Sequence, residues 1–200
     1  PLSGAGTGPG QIGLNPSGNA LIVTEKATNS LLTYWVAPDG SLSAPTVTAS
    51  SGMTPFAFDW TSDGVLLVAE AFGGNPGEAA VSSYSLTGTE PEVISASVQN
   101  GQTAACWIVA ARDAFAYTTN TPSDNISGYS IDADGGLNLF DDGGVTADMG
   151  PDQRPLDAAL SAGDDYLYVL NNMSDIVVGF TIADDGSLTP LADNLSVPAT

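Results

Sequence analysis

Along this chain the apolar residues fall in short runs cut by Gly, Asp, Asn and Pro. Four of these runs are Ala20–Glu25 (ALIVTE), Leu66–Glu70 (LLVAE), Phe115–Asn120 (FAYTTN) and Tyr166–Asn171 (YLYVLN). Some alternate apolar with polar, as a strand with one covered face requires. Others are apolar throughout, as a strand covered on both faces requires. No long stretch places apolar residues at three- and four-residue spacing, so helices are not expected. The breaks, such as Pro38-Asp39-Gly40 and Gly163-Asp164-Asp165, are turn formers that relieve or pre-set the backbone.

The runs recur. The last residue of each, Glu25, Glu70, Asn120 and Asn171, gives spacings of 45, 50 and 51 residues. Gly40, Gly88, Gly135 and Gly186 follow at 48, 47 and 51. Tyr34, Tyr84, Tyr129 and Phe180 precede those glycines, one aromatic per unit to fill the space between stacked sheets. A period near fifty with four strands per unit marks a β-propeller, whereas a β-sandwich does not repeat on such anchors. The expected fold is all-β: one domain over residues 1–200 holding four four-stranded antiparallel blades, near 11–50, 54–98, 102–146 and 154–197. Four blades make an open arc of a larger ring, so N-terminal blades or a second polypeptide are expected to complete it.

Composition narrows the function. A hydrophobic fraction of 42% sustains a core. Against 23 Asp and Glu stand three cations, Lys26, Arg112 and Arg154, with no histidine and a net charge of −20. That charge repels phosphate backbones and anionic lipid, so neither nucleic acid nor membrane is an expected partner. Much of the acid lies in turns. Cys106 is alone, with no histidine to activate it, and reads as a small buried residue. No cofactor and no metal site is expected. Sequons at Asn125, Asn172 and Asn194, with the scarcity of Lys, point to a secreted, extracellular glycoprotein. The chain starts at Pro1 without an initiator methionine, which suggests that something precedes it.

The segments NGQTAACW (100–107), VTEKATNSL (23–31), EAFGG (70–74) and YVLN (168–171) resemble the lactonase family of seven-bladed propellers. That family includes 6-phosphogluconolactonase and 3-carboxymuconate cyclase-like proteins, and the resemblance is to its C-terminal portion. It implies a lactone-handling enzyme, either a hydrolase or a lactonising cyclase, acting on a small lactone or carboxylate. On propeller geometry, second-strand ends and blade-to-blade connections share one face. Glu25 and Glu70 are the candidate catalytic acid and base. Lys26, Arg154, Gln102 and Asn171 are the candidates to hold a substrate carboxylate and a developing oxyanion. The other reading of the same pattern is that Glu25 and Glu70 cap hairpins, in a non-catalytic secreted propeller that serves as a binding or surface scaffold.

Overall fold

A computed structural model of the chain describes residues 1–88 and 90–192 and the backbone of Leu195–Ser196. It contains four antiparallel sheets in chain order. Blade 1 is β1 (Pro9–Leu14), β2 (Ala20–Glu25), β3 (Ser30–Trp35) and β4 (Thr46–Ala49). Blade 2 is β5 (Pro55–Trp60), β6 (Leu66–Glu70), β7 (Ala80–Ser85) and β8 (Glu92–Gln99). Blade 3 is β9 (Ala105–Ala111), β10 (Phe115–Asn120), β11 (Asn125–Ile131) and β12 (Leu137–Leu139), with β13 (Ala147–Asp148) extending its outer edge. Blade 4 is β14 (Pro155–Leu160), β15 (Tyr166–Asn171), β16 (Ile176–Ile182) and β17 (Leu188–Pro190), with β18 (Leu195–Ser196) added in the same way. Helix among the described residues amounts to two three-residue 3₁₀ turns, at Phe72–Gly74 and Thr121–Ser123.

Neighbouring blades pack face to face through their inner strands, β1 on β5, β5 on β9 and β9 on β14. Between blades 1 and 2 the core is Ile22, Leu31, Phe58, Leu66, Val68 and Tyr84. Between blades 2 and 3 it includes Leu67, Val81, Ile108 and Tyr129, and between blades 3 and 4 Tyr117, Leu167, Val169 and Phe180. The recurring aromatics Tyr34, Tyr84, Tyr129 and Phe180 are all buried, as the repeat requires. No hydrogen bond among the described residues joins blade 1 to blade 4, so the four blades form part of a propeller rather than a closed ring.

Side-chain to backbone bonds zip the inner strands together. Gln11 of β1 pairs with both the N–H and the C=O of Phe58, at 2.9 and 3.0 Å. Asp59 of β5 takes its own neighbour, Trp60 N–H, on one oxygen and Ala110 N–H of β9 on the other, both at 2.9 Å.

Antiparallel order puts the turns between first and second strands and between third and fourth strands of every blade at one end. Asp39, Asp63, Asp113, Asp132, Asp134, Asp164, Asp165, Asp184 and Asp185 all lie there. Four of them join blades: Asp113 accepts from Ser62 of blade 2, and Asp164 accepts Arg112 N–H of blade 3 at 2.8 Å. Arg112 also reaches Asp165 at 3.0 Å and Asp184 at 3.5 Å.

Candidate functional site

The opposite end carries the candidate residues, and a repeated connection organises it. Each blade is entered by a short strap, near residues 1–8, 50–54, 98–104 and 149–154. The last strap residue, Gly8, Thr54, Ala104 or Arg154, is left-handed, with φ of 60°, 58°, 54° and 50°. Non-glycine residues seldom adopt that conformation, so its fourfold recurrence reflects a fixed backbone device. Its carbonyl accepts the N–H of the residue just past the second strand: Lys26 to Gly8, Ala71 to Thr54, Thr121 to Ala104 and Asn172 to Arg154. The inner strand then begins, with a register shift near its start or in its pairing at that end.

The last residue of each second strand holds the strap from inside the blade. Glu25 is 0% exposed and accepts from Ser3 through both N–H and hydroxyl, and from Thr28 at 2.8 Å. Glu70 is also 0% exposed. It accepts from Gly52 N–H at 2.8 Å and from the hydroxyls of Ser82 and Ser97 at 2.7 Å, with Ser50 at 3.3 Å. Asn120 receives Asn100 at 3.1 Å and donates to Asn125 and Ser127 at 2.8 Å. Asn171 donates to Gln153 at 3.0 Å, and its carbonyl oxygen is buried without a partner among the described residues. The tyrosines add a second tie, since Tyr34 donates to Pro1 C=O at 2.7 Å, Tyr129 to Val98 C=O at 3.1 Å, and Tyr84 accepts Ser51 N–H at 2.8 Å.

The two carboxylates differ electrostatically. Burial pushes Glu25 up, but bonds from Ser3, Thr28 and Thr7 outweigh it and hold its pKa below the ordinary 4.5. At Glu70 burial wins over the donors from Ser82, Ser97, Gly52 and Ser50, and the pKa lies above 4.5. Neither carboxylate forms an ion pair among the described residues. A Cβ at Gly52 would run into the Glu70 carboxylate, so only glycine lets the strap pass there.

The site residues expected to converge are therefore separated. Glu25 and Glu70 lie inside different blades beneath their straps, and each is enclosed by its own donors. Asn171 is likewise interior. Gln102 is part-buried and bridges the strap to blade 3, accepting from Asn125 at 2.7 Å and donating to Gly143 C=O at 2.8 Å. Two candidates remain at the rim. Lys26 holds its ammonium 4.4 Å from the centre of the Phe56 ring, beside the small buried patch of Ala71, Ala104 and Cys106. Arg154 is exposed, its guanidinium unbonded among the described residues; its backbone N–H donates to Asp124 at 2.6 Å. Burial pushes the Cys106 thiol up, away from nucleophilic range.

The sequons need a correction. Asn125 is 6% exposed and its amide nitrogen, the atom a glycan would occupy, donates to Gln102 inside the blade. Asn172 is exposed in the β15–β16 loop, and Asn194 lies outside the described residues. No group of three or more Cys, Asp or Glu side chains suited to a metal comes together among the described residues.

These features define a partial propeller whose blades share a strap-and-clasp repeat. The lactonase family, described as a seven-bladed β-propeller, matches residues 2–75 and 78–200, and the chain belongs to that family. Among solved structures it is similar to the periplasmic gluconolactonase of Pseudomonas aeruginosa, with 18% identity and a TM-score of 0.74, covering 94% of this chain and 54% of that one. A candidate 6-phosphogluconolactonase of Bacteroides uniformis gives 18% and 0.75, covering 93% of this chain and 56% of the other. Virginiamycin B lyase of Staphylococcus aureus gives 13% and 0.68, covering all of this chain and 59% of the other. At such identities the likeness shows the fold alone. No curated protein matches. The chain thus spans a little over half of these structures, in line with four blades of seven.

Proposed function

We propose that this protein opens lactones, taking a small sugar lactone or related carboxylate at the strap end of the propeller. Membership of the lactonase family carries this reading. Lys26 and Arg154, the cations at that end, would hold a substrate carboxylate, with Arg154 suited to bidentate binding. Gln102 and Asn171 would position the rim beside them. Glu25 and Glu70 were candidates for proton transfer; their burial favours a positioning role, in which each holds the strap that carries the rim. A lactonising cyclase would use the same cations on an open carboxylate. We further propose that the protein is secreted, that Asn172 carries its glycan, and that further blades complete the ring.

A second reading, a non-catalytic binding scaffold, is favoured by one observation: no described carboxylate at the strap end of the second strands is both free and exposed beside those cations. Assay of the intact protein on a panel of sugar lactones separates the two. Turnover that loses affinity in Arg154→Ala, with KM rising and kcat held, supports the enzyme. Absence of turnover on every lactone leaves the scaffold.

A further inference from the structure

The strap that carries Arg154 is held by one side chain of the blade before it. Asp124, with φ of 54°, stands just ahead of the third strand of blade 3. Its carboxylate accepts three consecutive backbone N–H groups of the fourth strap: Asp152 and Gln153 at 3.0 Å and Arg154 at 2.6 Å. Its C=O takes Met149 N–H at 3.0 Å. From blade 4, the N–H groups of Met173 and Asn172 bind the carbonyls of Gln153 and Arg154 at 3.3 and 3.1 Å. Arg154 is thus gripped on its N–H by one blade and on its C=O by the next. Blade 1 has a lighter form of this device. Asn29, at the same place ahead of the third strand and with φ of 51°, accepts Thr54 N–H at 2.7 Å. In blade 2 that place belongs to Ala79, which has no side-chain acceptor, and the strap it faces ends in Ala104.

Two features set this grip apart from ordinary loop fixing. Arg154 holds φ of 50°, a conformation that glycine takes without strain, and Gly8 fills the same place in the first strap. A long side chain kept there must be over-determined by its surroundings, a pattern that clusters at ligand clamps. The second feature is the fate of the charge. Three backbone donors occupy the Asp124 carboxylate, and no ion pair joins it to Arg154 among the described residues. The exposed guanidinium stays open to an anion although an aspartate sits in the adjoining loop. We infer that Asp124 is a positioning residue for Arg154, fixing the strap so that the unpaired guanidinium is presented to the carboxylate of a ligand. The inference rests on the reading of Arg154 as a substrate-binding cation. Fixing the strap beforehand lowers the ordering cost of binding, so loss of Asp124 weakens binding and leaves bond breaking untouched.

Titration of the intact natural protein with gluconate, an open sugar carboxylate, tests this without turnover, so it stands or falls apart from the lactonase reading. Arg154→Ala is expected to weaken binding about 10- to 100-fold, the worth of a hydrogen bond to a charged group. Asp124→Ala is expected to weaken it by a comparable factor, and the double variant no further than Arg154→Ala alone. Asp124→Asn keeps the oxygen that accepts from Gln153 and Arg154, as Asn29 does for Thr54, and is expected to restore most of the affinity. On any lactone that is turned over, Asp124→Ala should raise KM with kcat held. Amide exchange gives a second reading: the Gln153 and Arg154 N–H groups are expected to exchange slowly in wild type and Asp124→Asn, and fast in Asp124→Ala. Removal of a negative charge beside a cation would by itself tighten anion binding. Unchanged or tighter binding in Asp124→Ala therefore overturns the proposal. So do losses that multiply in the double variant, an Asp124→Asn no better than Asp124→Ala, equal exchange in all three proteins, or a wild type that binds no gluconate.

Discussion

Blades 2 and 4 are built on the same plan but live in different surroundings. In blade 2 every residue of the second strand, Leu66–Glu70, is buried, because blade 1 covers one face and blade 3 the other. In blade 4 the second strand alternates exposed and buried along Tyr166–Asn171, because only blade 3 packs on it. Burial here belongs to the neighbour and not to the strand. The clasp differs too: Glu70 is ringed by Gly52, Ser82 and Ser97, whereas at Asn171 the third-strand position corresponding to Ser82 is Val178.

Core truncation should separate the blades most. Leu67→Ala removes a fully buried side chain and should cost about 2–5 kcal/mol. Tyr168→Ala in this 200-residue chain should stay within about 0.5 kcal/mol. Denaturant titration of both variants measures the gap, and equal losses would break the comparison.

A smaller difference is expected at the straps. Gly52→Ala drives a methyl into the Glu70 clasp and should cost about 1–3 kcal/mol. At Gly179 the same change meets the ends of the Leu191 and Tyr168 side chains, which can move aside, so the melting temperature should fall less.

Charge sharpens the contrast between the two glutamates. Glu25, held below its unfolded pKa, contributes stability that is present above pH 4.5 and lost as pH falls through the folded value. Glu70, held above it, favours the fold below pH 4.5 and loses that contribution as pH rises through its folded value. Melting curves of Glu25→Gln and Glu70→Gln across pH 3–7 (a range set by the ordinary carboxylate values) should therefore deviate from wild type with opposite slopes. If Glu70 instead carries a proton in catalysis, Glu70→Gln should lower kcat by about two to four orders of magnitude, measured where the variant is still fully folded.

The smallest effect is covalent. Mass spectrometry of the native protein should find Asn172 modified and Asn125 bare, and a glycan on Asn125 would require blade 3 to be open there.

Much of this fold is legible in the sequence. The anchors at Glu25, Glu70, Asn120 and Asn171 mark true strand ends, and Gly40, Gly135 and Gly186 sit in turns at φ of 81°, 86° and 84°. Strand alternation is a local signal, and it survived. The orientation of the clasp was not legible. A carboxylate at a strand end looks the same whether it points to a rim or under a strap, and the strap repeats in backbone conformation rather than residue type. Gly8, Thr54, Ala104 and Arg154 share a left-handed φ and a carbonyl bond but no residue type. The NGQTAACW segment gave part of the signal, since Asn100, Gln102 and Ala104 each serve the third strap.

The aspartate-bearing turns set a condition on the medium in which this molecule holds together. They crowd carboxylates onto one end with Arg112 as the cation there, and the whole chain carries −20. With so few lysines and arginines, pairing cannot relieve the repulsion, and counterions must. The screening length shrinks from about 10 Å at 0.1 M salt to about 3 Å at 1 M. The melting temperature should therefore climb as salt is added, the reverse of a surface held by ion pairs, and brine would be a more favourable solvent than dilute buffer.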